Sequence, residues 1–414
     1  MTQEVTQMME SLETTDDGNG DNRQQSKTYA KYSMDRFGDD MCGLILSYLS
    51  FKDRFRLECV SKQFQRTVFD SVIDININDR LIRQIQRTTI TQTIATIATK
   101  CPNIETIDLR GMFIKCEHIP EVLRLFRDNC LNLREVYCNL RSNTAQLYQQ
   151  FGPLVTRIEC NDLSDTVVDT TSGQQLVNNL KTFSFHFYYP NDTQLLSAFV
   201  AHNQCLKSVD FKEMYIDLND TIPEMCGQLS RLTQLRELSL RLGIMNSKTL
   251  VANQSLRTIG ENCKQLQRLS LEFGSESPVL NVEALDSLRY YCRLKRLHLT
   301  INAAIDDQLF DPLRHCKRLT HLELYLPRMT AKAFINCFKN CPRLQYLYIH
   351  DFNDIMGAEC LDELSRLPAL QTLIIFFRRD YDLINNDFSD LFTRSAKLKC
   401  IRLHVNNGIK FYYR

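Results

Sequence analysis

The chain has 414 residues, 43% hydrophobic and 24% charged, as in ordinary soluble globular proteins. Its 50 basic and 49 acidic side chains leave a formal charge of +1, so no global electrostatic attraction to nucleic acid or to an anionic membrane is expected. No apolar run approaches the roughly 20 residues of a membrane span; the longest, at 370–377, is interrupted by Gln371 and Thr372 and closed by Arg378 and Arg379.

Residues 1–31 are rich in Thr, Asp, Gln, Asn and Gly and are expected to form a disordered tail, because they bury too little apolar surface to offset ordering entropy. The first 21 residues are polar and acidic and lack the apolar centre of a signal peptide. The 16 cysteines are widely spaced in a chain that is too long to need staples. Together these features predict reduced thiols in a cytoplasmic or nuclear protein.

Residues 32–70 form a second segment, without strand alternation. Met41, Leu44, Ile45, Tyr48 and Leu49 share one helical face; Phe55 and Cys59, and then Val60, Phe64 and Val68, mark two more short helices. Asp39 or Asp40 is the expected N-cap of the first helix, and Lys52–Asp53 the break before the second. So few residues cannot bury a self-sufficient core. Some of the large apolar side chains must pack on the rest of the chain, and the others need a partner. The bland reading is a helical cap that closes the edge of whatever follows.

Residues 71–414 form the third segment. It opens with Ile73, Ile75 and Ile77 alternating with polar residues, the pattern of a half-buried capping strand, and 81–98 is expected to be one outer helix. Then L-x-x-L-x-L recurs twelve times, from Ile104, Ile107, Leu109 to Leu398, Ile401, Leu403, with a mean period of about 27 residues. The third copy, Val155, Ile158, Cys160, is the weakest. This period identifies a leucine-rich-repeat solenoid. The fourth and sixth positions point to one side of a short strand. One unit buries three such residues, at roughly 1.5–3 kcal/mol each. That cannot offset the ordering of a whole repeat at about 1–2 kcal/mol per residue. Only stacked units share enough core. The predicted fold class is therefore α/β: a horseshoe with a parallel sheet inside and helices outside. The stripes Ala333, Phe334, Cys337, Phe338, Cys341 and Leu361, Leu364, Leu367 mark such helices, as does Leu256, Ile259, Cys263.

Cys101, Cys130, Cys263, Cys316 and Cys341 each stand three residues before the first Leu or Ile of a copy, and Cys205 and Cys292 one and two before it. With phrases such as Cys-Pro-Arg-Leu at 341–344, the region resembles the cysteine-containing repeats of F-box proteins, although the second cysteine of that pattern is mostly missing. The segment before it resembles an F-box. Phe37–Gly38 stands for Leu–Pro, Asp39, Asp40 and Met41 for the acidic-then-apolar entry, and Ile45 to Leu49 for the end of the first helix. Asp53, Arg54 and Phe55 match the start of the second helix, and Val60, Ser61, Lys62, Gln63 and Phe64 the closing motif. Gly38 and Ser50 stand where proline is usual.

The combined resemblance, to the F-box leucine-rich-repeat family, implies a substrate-recognition subunit of an SCF-type E3 ubiquitin ligase. The F-box would dock on a Skp-type adaptor, and through it on a cullin–RING scaffold, while the repeats hold a target protein. Adaptor binding falls to Phe37, Met41, Ile45, Leu49, Phe55, Val60 and Phe64. The alternative is a stand-alone leucine-rich-repeat interaction scaffold whose N-terminal helices are only a cap.

No phosphate loop, H-E-x-x-H, paired C-x-x-C or calcium loop is present, so the expectation is a non-catalytic protein without cofactor or metal. Cys337 and Cys341 have metal-like spacing, but both fall on a helix stripe; His315–Cys316 sits at the repeat's structural cysteine. Positions three, five and seven of each copy project from the open face of the sheet. Towards the C-terminus they bring up Tyr325, Tyr346, Tyr348, His350, Phe376, Arg402 and His404, with Arg378 and Arg379 nearby. Tyrosine and arginine are enriched in interface hot spots, so this cluster is the candidate target-binding site.

Overall fold

The structure, a computed structural model, describes residues 38–60, 62–85, 90–112, 118–140, 154–160, 177–187, 192–213, 221–244, 249–275, 279–280, 285–302, 304–351, 357–377, 388–405 and 408–414. It divides into two compact units, Met1–Ser71 and Val72–Arg414.

The first unit contains three helices, α1 (Asp39–Ser47), α2 (Phe51–Leu57) and α3 (Lys62–Asp70). Gly38, not an aspartate, is the N-cap of α1, and Asp39 and Asp40 lie in its first turn, where their charge favours the positive end of the helix dipole. The break before α2 falls at Ser50, two residues earlier than expected. The Ser50 hydroxyl accepts from the Asp53 N–H at 3.2 Å and donates to the Asp53 carboxylate at 2.6 Å, so Lys52 and Asp53 belong to the first turn. Phe55 lies between Phe51 and Phe69, with ring centroids at 5.2 and 4.7 Å. The Arg54 guanidinium donates to the Val68 carbonyl and to Ser71 Oγ, tying α2 to the end of α3.

The second unit is built on one sheet of fourteen strands among the described residues. The first is β1 (Asp74–Asn76), followed by β2 (Thr106–Asp108), β3 (Glu135–Leu140), β4 (Val155–Cys160), β5 (Thr182–Phe187), β6 (Ser208–Glu213), β7 (Glu237–Ile244) and β8 (Arg268–Ser275). After the short β9 (Val279–Leu280) come β10 (Arg296–Ile301), the short β11 (Ala304–Ile305), β12 (His321–Tyr325), β13 (Tyr346–Asp351), β14 (Thr372–Phe377), β15 (Cys400–Val405) and β16 (Gly408–Tyr413). β9 and β11 form a separate two-stranded parallel sheet. In the main sheet each strand pairs with the next, all in parallel, until β16 turns back antiparallel on β15. This is a leucine-rich-repeat solenoid: one strand per L-x-x-L-x-L copy, β2 to β15, behind the capping strand β1.

The register aligns the repeat. Leu238, Leu269, Leu297, Leu322, Leu347, Leu373 and Ile401 form one buried row, and Leu240, Leu271, Leu299, Leu324, Ile349, Ile375 and Leu403 a second. Most connecting segments are α-helices, such as Ile119–Asn129, Thr249–Asn262, Ala331–Lys339 and Ala358–Ser365, each burying its apolar stripe. Two are single 3-10 turns, Asp286–Tyr290 and Asp311–His315. Of the helix expected at 81–98, the described residues form helix at Asp79–Ile85 and Ile90–Lys100, and 86–89 lie outside the described residues. Of the three alternating isoleucines in front of it, Ile75 and Ile77 are buried, but Ile73 is exposed ahead of the strand.

The weak third copy has a structural counterpart. The spacing from Leu133 to Val155 is the shortest in the series, and the β3–β4 register shifts between Val136 and Tyr137. Val136 pairs with Val155 and Tyr137 with Arg157, so Thr156 is the extra residue of a bulge. The bulge restores the alternation, and Ile158 then aligns with Phe183 of β5.

In several copies the residue three before the first Leu or Ile joins neighbouring repeats. The Cys130 thiol reaches the Cys101 carbonyl at 3.3 Å, Cys263 that of Leu232 at 3.3 Å, and Cys316 that of Leu288 at 3.4 Å. Burial pushes the Cys130 thiol up to about 11 and those of Cys263 and Cys316 up to about 12, so they remain protonated S–H donors at neutral pH. Other residues do the same work elsewhere. Asn203 donates to the Val177 and Phe199 carbonyls and accepts from the Leu180 N–H; Tyr291 donates to the Leu256 carbonyl at 2.6 Å; Ser395 donates to that of Ser365. Each buried donor serves a carbonyl of the preceding repeat, and those of Cys101, Leu232 and Ser365 stand at or just after the end of a helix. Cysteine is one solution to this requirement among several.

Candidate functional site

Two surfaces combine exposure with chemistry that suits a partner. The first is on α1. Cys42 and Leu46 are fully buried, whereas Met41, Leu44 and Tyr48 are 40%, 54% and 83% exposed. These three follow at steps of three and four residues, so they form one apolar stripe facing outward. Ile45 and Leu49 are half-buried between the two faces. Leu57 and Val60, joined by a backbone hydrogen bond at the turn after α2, are also exposed.

The second is the open face of β12 to β16. Parallel pairing places Tyr325, His350, Phe376 and His404 in one row, and antiparallel pairing adds Ile409. The row of Glu323, Tyr348, Ile374 and Arg402 ends on Phe411, and that of His321, Tyr346, Thr372 and Cys400 ends on Tyr413. Strand spacing is close to the stacking distance of flat rings, and the first row is a continuous stack. Centroids lie 4.6 Å apart for Tyr325–His350, 4.7 Å for His350–Phe376 and 3.7 Å for Phe376–His404. Tyr348 braces the stack against Phe376 at 5.2 Å, and His321 stacks on Tyr346 at 5.4 Å.

The electrostatics follow from this crowding. Desolvation lowers the pKa of His350, helped by neighbouring His404, and lowers that of His404, helped by Arg402. Both imidazoles are thereby biased towards the neutral form. Burial and Glu323 raise the phenols of Tyr346 and Tyr348, which stay protonated. The Arg402 guanidinium lies 5.1 Å from the Phe411 ring centroid, and its Nε is shielded from solvent with no hydrogen-bond partner among the described residues. Among the described residues the surface is mainly aromatic, with Glu323 and Arg402 as the charges in its middle row.

The family comparison decides the nature of the first surface. The F-box domain family matches residues 34–76. These residues are an F-box. No curated protein matches the chain. Among solved structures, the chain is similar to one in the crystal structure of the Rad7 and Elc1 complex in yeast, at 15% identity and a TM-score of 0.49, covering 82% of this chain and 88% of that one. It is also similar to a chain of the mouse RP105/MD-1 complex, at 17% identity and a TM-score of 0.42, covering 75% and 49%.

Within the F-box the residues singled out from sequence fall into distinct environments. Met41 and Val60 are exposed, and Ile45, Leu49 and Phe55 are half-buried. Phe64 is buried and supports the helices instead of presenting itself to a partner. Phe37, Arg378 and Arg379 lie outside the described residues. Leu44, Tyr48 and Leu57 are exposed apolar F-box residues that the sequence reading did not single out. Periodicity placed Leu44 and Tyr48 on the stripe, but only packing shows which side of it faces out. On the second surface the overlooked residues are Ile409, Phe411 and Tyr413. The alternation of 409–413 after the turn-forming Asn-Asn-Gly at 406–408 was the available signal.

The other sequence candidates have structural roles. Cys337 and Cys341 are buried, and burial pushes the Cys337 thiol well up. Cys316 makes the inter-repeat bond described above. Among the described residues no group of three or more His, Cys, Asp or Glu side chains converges as a metal site, and no helix is long and apolar enough to cross a membrane.

Proposed function

We propose that this chain is the substrate-recognition subunit of an SCF-type E3 ubiquitin ligase. The F-box docks on a Skp-type adaptor, which links to a cullin–RING scaffold, and the solenoid holds a target protein in the cytoplasm or nucleus. The observation that carries this reading is an F-box whose first helix turns Met41, Leu44 and Tyr48 outward. Such a stripe on a small module suits a partner helix or groove more than solvent. Target capture is assigned to the stacked face, Tyr325, Tyr346, Tyr348, His350, Phe376, Arg402 and His404. It offers rigid aromatic area at low conformational cost, the usual composition of binding hot spots. In this role the chain makes and breaks no bonds. It supplies proximity between target and conjugating machinery, which alone can lower a barrier by several kcal/mol.

The test is co-expression of the full chain with a Skp-type adaptor, followed by affinity capture. Wild-type chain is expected to retain the adaptor, and Met41→Asp with Leu44→Asp to lose it while the solenoid still unfolds cooperatively. Retention by the double variant, or no capture by the wild type, would overturn the reading.

A further inference from the structure

The middle of the same open face carries a different feature, a trough of about 630 Å³ lined by residues from β4 to β12. It exists because the side chains are small there. The row that holds Tyr348 and Arg402 further along holds Ser184, Asp210, Ser239 and Ser270 in β5 to β8. The rim is basic: Arg157, Lys181, Lys207, Arg236, Arg268 and Arg296 all border the trough, against the carboxylates of Asp210, Glu237 and Glu323.

Those carboxylates offset the rim only in part. Glu237 pairs with Arg268 at 2.9 Å, Lys181 is held by Glu135 at 2.5 Å, Glu323 meets His298 at 3.1 Å and lies within the field of Arg296, and Asp210 accepts from Ser184 Oγ at 3.4 Å. Arg157, Lys207, Arg236 and Arg296 make no ion pair among the described residues. The Nε of Arg157 is in addition shielded from solvent without a hydrogen-bond partner. Four cations without an ion pair among the described residues along one concavity, in a chain of formal charge +1, are a local arrangement that overall composition does not reveal.

We infer that this trough is a second binding site, which takes an extended, anionic peptide segment of a protein partner. Its cations would recognise carboxylate or phosphate groups, the guanidinium groups by bidentate hydrogen bonds. The seven strands that line it span roughly 29 Å at the usual strand spacing, the reach of about eight extended residues. A peptide fits better than nucleic acid, because among the described residues no Phe, Tyr or Trp lines the trough to stack on bases. The small serines leave room for main chain on the floor, with hydroxyls for its amides. The inference does not rest on adaptor docking or on the aromatic stack.

The experiment is fluorescence anisotropy on the purified full chain with four labelled probes of about eight units each. They are oligoglutamate, a serine peptide phosphorylated at alternate positions, its unphosphorylated form, and single-stranded oligothymidylate. One or both anionic peptides are expected to bind, more weakly as salt rises, and the unphosphorylated peptide is not. Which anionic peptide binds tells whether carboxylate or phosphate is the preferred source. Lys207→Glu with Arg236→Glu should weaken binding about tenfold or more, with Lys207→Gln and Arg236→Gln as the milder pair should the reversal disturb folding. Arg343→Glu with Lys397→Glu, exposed and outside the trough, should leave binding unchanged. Adaptor capture should be the same in every variant. Equal binding of the unphosphorylated peptide, tighter binding of oligothymidylate, or undiminished binding by both trough variants would overturn the proposal.

Discussion

The imidazole of His404 lies flat on the ring of Phe376, 3.7 Å between centroids and 11° between planes. His350 stacks on the other side of the same ring at 4.7 Å. One phenylalanine of β14 thus holds two imidazoles whose protonation is disfavoured by desolvation and, for His404, by Arg402.

A pH dependence follows. Both folded-state values lie below the ordinary 6.5 of the imidazole, so below that value the unfolded chain binds more protons than the folded one. The stacking contribution is fully present above pH 6.5 and is lost as pH falls towards the lowered folded values. Thermal unfolding followed from pH 7.5 to about pH 5 should show a falling Tm, with a shallower slope in His350→Gln with His404→Gln. Equal slopes would mean that other groups set the acid sensitivity.

Target capture should depend on the same stack. Tyr348→Ala with His350→Asp removes the brace on Phe376 and places a charge between Tyr325 and Phe376. Proteins captured by the wild-type chain should be lost from this variant by at least tenfold in a quantitative pull-down, a change of about 1.4 kcal/mol. Adaptor recovery should not change. Unreduced capture would move the target site away from these strands.

Asn203 is the least replaceable of the inter-repeat donors, since it serves two carbonyls and one N–H at once. Asn203→Leu leaves the Val177 carbonyl and the Leu180 N–H without their side-chain partner, while the backbone N–H of residue 203 still serves the Phe199 carbonyl, and should cost about 1–3 kcal/mol in a urea titration. Asn203→Cys, which imitates the other repeats, should recover part of that loss. A neutral Asn203→Leu would show that water reaches these groups.

Gly260 sits in the helix Thr249–Asn262 where a Cβ would fall 2.8 Å from Tyr290 Cβ and 3.0 Å from the Tyr291 ring. Tyr291 is itself pinned by its bond to the Leu256 carbonyl, so it cannot yield without breaking that bond. Gly260→Ala therefore sets a gain in helix propensity of about 1 kcal/mol against overpacking of about 1–3 kcal/mol. A net loss of stability is expected by chemical denaturation. A gain would mean that the 3-10 turn shifts freely.

The solenoid was legible because its signal repeats. Leu238, Leu269, Leu297 and their counterparts occupy the same place in successive copies, and a core that no single unit can close compels the units to stack. The F-box segment was legible by its motif and by an apolar content too large for its length. Which of its apolar residues face outward was not, since Met41 and Leu46 differ only in what α3 covers. The stack of Tyr325, His350, Phe376 and His404 could be read from strand alternation, but its capping by Ile409, Phe411 and Tyr413 arises only when β16 folds back antiparallel. The trough was hidden for a different reason. A charge count of +1 sums over the chain, whereas ion pairing is decided by distance. Glu237 and Glu135 reach Arg268 and Lys181, and among the described residues no carboxylate pairs with Lys207 or Arg236. Periodicity determined the architecture, because burial alternates along the chain. Only the tertiary structure decided which charges and rings were left without a partner, because those pairings link residues far apart in the chain.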